Sequence, residues 1–435
     1  LLKSWSEINS EYAYYSFRKA CNLDAHPNKK KFSKCLTNKK FFVKDLFPKL
    51  TKDKFYKIDL SVGSEWIGGR NEIENLDIFQ FKIEKLQKDQ HEKIIAGGYL
   101  EPRSIYTSDT YEKIGNYGTE NRTIHLGLDF WLPPGTEISA MFDGEVVTAV
   151  NDQGHKEYGG LVILKHRIED IEFYTLYGHN TVESVLKNKI GSRVKKGEII
   201  AEIANYPENG NWAPHLHFQI MLSMLDHKID FPGVCYFNQI DVWKDLCPDP
   251  NLLFKSKDLD LDQSSSLQEL IEHRKNHLGK SLKLHYEEPL HIIRGEGVYL
   301  MDSNGRKYLD TVNNVAHVGH ENESVVAKGK SQMSILNTNS RYLHKNINEL
   351  SKELLKTLPS KLSVVHFVNS GSEANELAIR MMKSHTGESD IIVSEHGYHG
   401  NTNICVDISS YKFDGKGGSG AGVYLMDSNG RKYFC

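Results

Sequence analysis

Between Thr123 and Ile220, short β-branched runs alternate with glycine and proline turns: EISAMFDGEVVTAV, GGLVILKHRI, EFYTLYGH, GSRVKKGEIIAEI and HLHFQIML. Runs of this length bounded by turn residues read as strands, so the stretch predicts an antiparallel β domain. The texture differs on both sides. Residues 1–60 mix aromatics with lysines in a helical pattern, and Ile78 to Ile95 reads as one amphipathic helix with its charges outward. The polar run KSKDLDLDQSSS at 255–266 predicts a linker. Beyond it LQELIEHRKNHL is helical, VYLMDSNGRKYLD is two strands joined by a Ser-Asn-Gly turn, and helical pattern returns at 323–336 and 347–358. Strand VVHFV, a Ser-Gly-Ser turn, a helix from Glu373 to Lys383 and strand DIIVS then give a parallel α/β layout.

With 435 residues the chain is too long for one ordinary core, and length alone suggests roughly three domains. Hydrophobic residues at 39% and charged residues at 26% are the balance of a globular protein. A net charge of −3 gives no general attraction to nucleic acid or to anionic membrane, and neither is expected as a partner. No stretch approaches the roughly twenty apolar residues of a membrane helix. The opening LLKSWSEINSEY lacks the basic-then-apolar pattern of a secretory signal, and a start at Leu rather than Met suggests a missing true N-terminus. Cysteines at 21, 35, 235, 247, 405 and 435 form no CxxC pair and read as reduced thiols, so a cytoplasmic location is expected. The string GVYLMDSNGRKY occurs at 297–308 and again, residue for residue, at 422–433. Diverged structural repeats keep pattern more than identity, so the second copy reads as a recombination or joining artefact.

Two short motifs in the β stretch carry metal chemistry. HLGLD sets His125 and Asp129 four residues apart, and HLH sets His215 and His217 two apart. Side chains at i and i+2 of a strand share a face, so both histidines of HLH can point into one site. Two imidazoles and a carboxylate make three N/O ligands and leave a fourth tetrahedral position for water, as in catalytic zinc sites.

In order, RTIHLGLDFWLPPGTEISAMFDGEVV, GGLVILKH, FYTLYGH, VKKGEIIAEI and PHLHFQI resemble the lysostaphin-like zinc endopeptidases. The resemblance implies that His125, Asp129 and His217 hold zinc, that His215 is the general base, and that His179 polarises the substrate or stabilises the oxyanion. His155, His166 and His227 match no motif position. The family cuts peptide bonds, often beside glycine in bacterial cell-wall peptides, so the expected partner is a peptide or small-molecule substrate.

FVNSGSEANELA at a strand-to-helix turn brings small residues and backbone N–H groups to a helix start that can hold a phosphate. The following HGYHG offers a ring for stacking. With EEPLHIIRGEGVYLMDSNGRKYLDTVNNVAHVGH and LNTNSRYLH, these strings resemble class III aminotransferases, in the branch that includes ethanolamine-phosphate phospho-lyase. The resemblance implies a pyridoxal phosphate site with Gly371 and Ser372 on the phosphate and Tyr398 on the ring. After AHVGH the family's Cys-His-Pro is replaced by Glu321-Asn322-Glu323. The Schiff-base lysine and the ring-nitrogen aspartate have no counterpart before Cys435, so the site is expected to be incomplete and the chain not to transaminate. YYSFRKACNLDAHPN resembles the tail of an aminoglycoside-phosphotransferase-like kinase, and KIDLSVGS with GGYLEPRSIYTSD resembles the connector of kinase, peptidase and aminotransferase fusion proteins.

The expected organisation is a kinase tail at 1–35, a connector at 36–114, a lysostaphin-type zinc peptidase at 115–245, a linker at 246–266, the N-terminal part of a class III aminotransferase (fold type I, α/β) at 267–421, and the duplicated segment at 422–435. The expected function is a zinc-dependent endopeptidase-type hydrolase inside a multidomain cytosolic enzyme. The alternative is an aminotransferase or phospho-lyase for amino-alcohol or amino-acid substrates, with the zinc domain accessory or non-catalytic. The aminotransferase part of the intact parent is expected to be homodimeric.

Overall fold

The computed structural model describes residues 10–106, 111–115, 118–261, 267–280, 282, 284, 286–311, 317–394 and 397–409, and the backbone of 423–426 and 432–434. The chain forms two compact units, residues 1–331 and 332–435.

In the first unit the β-branched runs form an eight-stranded sheet. Its order is Phe55–Lys57, Ile94–Gly97, Leu128–Trp131, Leu216–Met221, Ile171–Asn180, Gly159–Ile168, Gly144–Asp152 and Arg193–Val194. All neighbours are antiparallel except the first two, which run parallel. The long strands Gly159–Ile168 and Ile171–Asn180 are joined by Glu169-Asp170, and Glu169 takes a φ of +54°, the left-handed conformation that tight hairpins need. Leu128–Trp131 and Leu216–Met221 are buried at every residue, because both faces of the sheet are covered. On one face Phe130 packs against Phe47, Phe55 and Phe254, drawing in chain from well before and well after the strands. Helix Lys29–Thr37 places Phe32 on Phe173, with ring centroids 5.0 Å apart. Lys19 and Lys29 both reach the buried carboxylate of Asp245, which also accepts from the Ala25 amide, fastening the start of the unit to the helix Ile240–Leu246.

The helix expected over Ile78–Ile95 is Leu76–Asp89, and Ile94 and Ile95 belong to the strand Ile94–Gly97. Each is 1% exposed there, between Phe55–Lys57 and Leu128–Trp131. Burial in a paired strand outweighs an added helical turn, because it removes apolar surface from water while still satisfying the backbone. The expected linker begins as ordered structure: Lys257–Leu259 is a 3₁₀ turn that buries Leu259. The unit also contains the three-stranded sheet Ile292–Glu296, Tyr299–Asp302 and Lys307–Leu309.

The second unit contains helices Lys345–Lys356 and Gly371–Thr386, a short helix Asn403–Asp407, and the sheet Ile391–Ser394, Val423–Met426 and Lys432–Phe434. Residues 364–368, expected as a strand, have no strand partner among the described residues and are largely exposed, with Val364 at 73%. Ile391–Ser394 does form, but it pairs antiparallel with Val423–Met426 rather than in a parallel sheet. The described strands of both copies of the twelve-residue repeat pair in the same register. Tyr299, Leu300 and Met301 pair with Leu309, Tyr308 and Lys307, and Tyr424, Leu425 and Met426 pair with Phe434, Tyr433 and Lys432. The register of this hairpin is thus set within the repeat itself.

Candidate active site

The sheet register brings the candidate ligands together. His217 lies directly opposite Asp129 across the antiparallel pair Leu216–Met221 and Leu128–Trp131. His125 ends the short strand Ile124–His125, which pairs with Val234–Cys235. His125, Asp129 and His217 are 2%, 1% and 3% exposed, and each offers one ligand atom to a common site. His125 Nε2 is 2.8 Å from His217 Nδ1, and each lies 3.2 Å from Asp129 Oδ1.

The opposite side of each ring is already committed. His125 Nδ1 faces the Gly98 carbonyl at 2.9 Å, and His217 Nε2 faces Gln219 Oε1 at 2.9 Å. Gln219 is oriented in turn by its amide, which donates to Pro232 O. Protons on those outer nitrogens leave lone pairs on His125 Nε2 and His217 Nδ1. Three acceptor atoms facing one another in a buried site make a place that a cation would satisfy. A tetrahedron with bonds of roughly 2.0–2.1 Å has edges of about 3.3 Å, close to the spacings here. The donor set therefore fits zinc.

His179 and His215 stand beside the three. The strand Ile171–Asn180 bulges between Tyr177 and Asn180, and His179 takes a φ of +68° there. Bulges re-aim side chains at functional sites in this way. His179 Nδ1 bonds to Asn209 O at 2.9 Å and His215 Nδ1 to Ala213 O at 2.7 Å, which turns Nε2 of each ring free for chemistry. His215 stacks on Trp131 with centroids 4.3 Å apart, and the His179 and His215 centroids are 4.4 Å apart. Burial lowers the pKa of His125 to about 3 and of His215 to about 4, and holds His179 well below its ordinary value. For Asp129, burial alone would raise the pKa, but His125 and Arg103 beside it hold the carboxyl well below the usual range. Neutral imidazoles with an ionised carboxylate are the states in which such groups bind metal.

Arg103 is absent from the motif reading. Its guanidinium donates from Nη1 to Asp129 Oδ2 at 2.6 Å and from Nε to Glu101 Oε2 at 2.7 Å, with the side chain 2% exposed. Gly98, at φ +105°, makes room: a Cβ there would fall 1.8 Å from Arg103 Nη2 and 2.9 Å from His125 Nδ1. The signal was YLEPR, a glutamate and an arginine two apart beside a proline, in a stretch taken for connector. Of the unassigned histidines, His166 is buried, bonded to Asp143 O and Thr175 Oγ1, and His227 lies 3.6 Å from Asp230.

The cluster opens into a cavity of about 190 Å³, walled by Tyr106, Tyr111, Trp131, Lys156 and Trp212. In the second unit, Gly371 and Ser372 begin the helix Gly371–Thr386, which Ser370 caps by accepting from the Glu373 amide. The loop carrying Tyr398 folds against this helix start, where the Asn401 amide donates to Ser372 Oγ at 3.0 Å and Asn375 donates to His399 O at 2.7 Å. Tyr398 itself is 54% exposed. A helix start with small residues fits the phosphate end of the cofactor.

Residues 123–230 match the family model "Peptidase family M23", and residues 283–424 match "Aminotransferase class-III". A Drosophila melanogaster protein described as alanine–glyoxylate aminotransferase 2-like is 42% identical over 175 residues, covering 40% of this chain and 35% of that protein. Ethanolamine-phosphate phospho-lyase homolog 1 of Caenorhabditis elegans is 37% identical over 150 residues, covering 34% and 32%. The chain thus spans about a third of the length of these curated relatives. The catalytic domain of the antimicrobial peptidase lysostaphin from Staphylococcus simulans is 26% identical, covering 28% of this chain and 80% of that one, with a TM-score of 0.20. M23 peptidases are zinc-dependent and class III aminotransferases use pyridoxal phosphate, so zinc and pyridoxal phosphate are the cofactors of the two families represented. The chain is multidomain, carrying in order a β segment that matches the model of peptidase family M23 and an α/β segment that matches the model of aminotransferase class-III.

Proposed function

We propose that the first unit is a zinc-dependent hydrolase of peptide-type amide bonds within a multidomain cytoplasmic enzyme. One observation carries the reading: three buried lone pairs converge from His125, Asp129 and His217 while two further imidazoles stand beside them. Zinc, when bound, supplies the Lewis acidity that makes water a nucleophile near neutral pH. His125, Asp129 and His217 would hold it. His215 takes the water's proton at Nε2, the nitrogen left free by its bond to Ala213 O. His179 at rest also carries its free lone pair on Nε2, so it donates to the oxygen gaining negative charge only after receiving a proton. Water activation and oxyanion support then share one proton between two neighbouring rings. Trp131 and Trp212 limit water around them.

The test is cleavage of short glycine-containing peptides by the full chain, first stripped of metal and then refilled. Activity should vanish on stripping and return with zinc. Cleavage that survives complete removal would end the proposal.

For the second unit we propose an aminotransferase- or phospho-lyase-type site for amino-alcohol or amino-acid substrates, with Gly371 and Ser372 on the cofactor phosphate and Tyr398 on its ring. Pyridoxal phosphate, when bound, supplies the electron sink for carbanion chemistry. Gly371, Ser372 and Tyr398 can touch the phosphate and the ring but cannot bond to the cofactor covalently, so the proposed site should hold it weakly and without a covalent bond. Borohydride reduction after adding the cofactor should leave no pyridoxyl-lysine, and stoichiometric labelling of one lysine would contradict this. Exposed apolar side chains such as Leu343 and Ile392 accord with a homodimeric parent. No helix among the described residues is long and apolar enough to cross a membrane. The described cysteines are free thiols, which accords with a reducing compartment.

A further inference from the structure

Lys156 is held in the cavity wall with unusual care. Its φ is +69°, the left-handed region that a lysine seldom enters without compensation. The compensation is visible on both sides of its backbone. The Lys156 amide donates to Gly210 O at 2.8 Å, and the Tyr111 hydroxyl donates to the Lys156 carbonyl. Beside it the Trp212 backbone is clamped by Asn209, whose side chain both accepts from its amide and donates to its carbonyl. These two fixed segments set the Lys156 ammonium 3.8 Å from the centre of the Trp212 ring.

Neither group is fully satisfied. The ammonium makes one long hydrogen bond, 3.3 Å to Asn211 O, where it has three protons to donate. Burial lowers its pKa to about 8, only partly offset by the charge of Glu74, so the cation is desolvated yet still largely protonated at neutral pH. The Trp212 indole Nε1–H is buried with no hydrogen-bond partner among the described residues, on a side chain 7% exposed. A buried donor left unpaired costs about 1–3 kcal/mol, so its place in a cavity wall points to a ligand acceptor. Trp212 also lies against both catalytic rings, 6.0 Å from the His179 centroid and 6.3 Å from that of His215.

We infer that Lys156 and Trp212 form a carboxylate-recognition site, so that the hydrolase acts on short peptides whose free C-terminal carboxylate is held there. Two donors, one charged and one neutral, match the two oxygens of a carboxylate. An extended residue spans about 3.5 Å, so a carboxylate bound beside Trp212 lies one to two residues from the bond presented to His179 and His215. The cavity of about 190 Å³ is small against the roughly 300–1,000 Å³ of sites for drug-sized ligands, which suits a substrate of a few residues rather than a polymer.

This inference rests on the proposed amide hydrolase, but its test does not need turnover. Titration calorimetry on the zinc-free full chain compares N-acetylglycylglycine with its C-terminal amide. The acid should bind at least about tenfold more tightly, a difference of about 1.4 kcal/mol. Lys156→Met should abolish that preference and Lys156→Arg should keep most of it. Equal affinity for acid and amide in the wild-type chain, including no measurable binding of either, would overturn the inference without reference to any variant. A preference that survives in folded Lys156→Met would overturn it too. Loss of hydrolysis with the preference intact would instead count against the hydrolase reading alone.

Discussion

Arg103→Met should lower the stability of the zinc-free chain by about 3–5 kcal/mol, the usual result of deleting one member of a buried ion pair. The guanidinium lies between two carboxylates, Asp129 at 2.6 Å and Glu101 at 2.7 Å, and all three are shielded from water. Burial pushes the Glu101 carboxyl up even with Arg103 present, while His125 and Arg103 together hold the Asp129 carboxyl well below its usual range, so Asp129 is the ionised partner of the guanidinium. A methionine fills the space but leaves that charge without its partner. Zinc supplies a second positive neighbour to Asp129, so saturating zinc should recover part of the loss. Denaturant melts with and without zinc measure both effects. A variant as stable as wild type in the absence of zinc would mean that Asp129 does not carry its charge in the folded chain. Arg103→Lys should recover only part of the stability, because a single ammonium cannot reproduce the forked contacts of guanidinium.

The sequence made the candidate ligands legible because strand periodicity and spacing are local properties. HLGLD and HLH lie on two strands, and the pairing of His217 with Asp129 follows once those strands become neighbours. His179 and His215 were named as candidates by the resemblance that FYTLYGH and PHLHFQI carry, not by spacing alone. Arg103 was not, because its role depends on a non-local event: the strand Ile94–Gly97 joins the sheet beside Leu128–Trp131 and delivers the chain after it to Asp129. Ile94 and Ile95 were misread as helix for a related cause, since their burial depends on partners distant in the chain. Lys156 carried no signal at all. Its importance comes from a positive φ, a long hydrogen bond and an indole against its ammonium, none of which spacing reveals. In the second unit the helix starting at Gly371 was readable from its Ser-Gly-Ser entry, which supplies the Ser370 cap. The strand expected at 364–368 was not realised, because an apolar run becomes a strand only beside a partner.

The central claim is that His125, Asp129 and His217 form the coordination sphere while His215 acts from outside it. Zinc content of the purified full chain, of His217→Ala and of His215→Ala, read beside peptide cleavage, tests it most directly. A first ligand cannot be deleted without dismantling the site, whereas a neighbouring base can. His217→Ala should therefore lose both zinc and cleavage. His215→Ala should keep zinc at the wild-type level while cleavage falls by roughly 10²–10⁴-fold, the range for removal of a general base. If His215→Ala loses zinc as completely as His217→Ala, or if His217→Ala retains it, the division of roles drawn from the geometry is wrong.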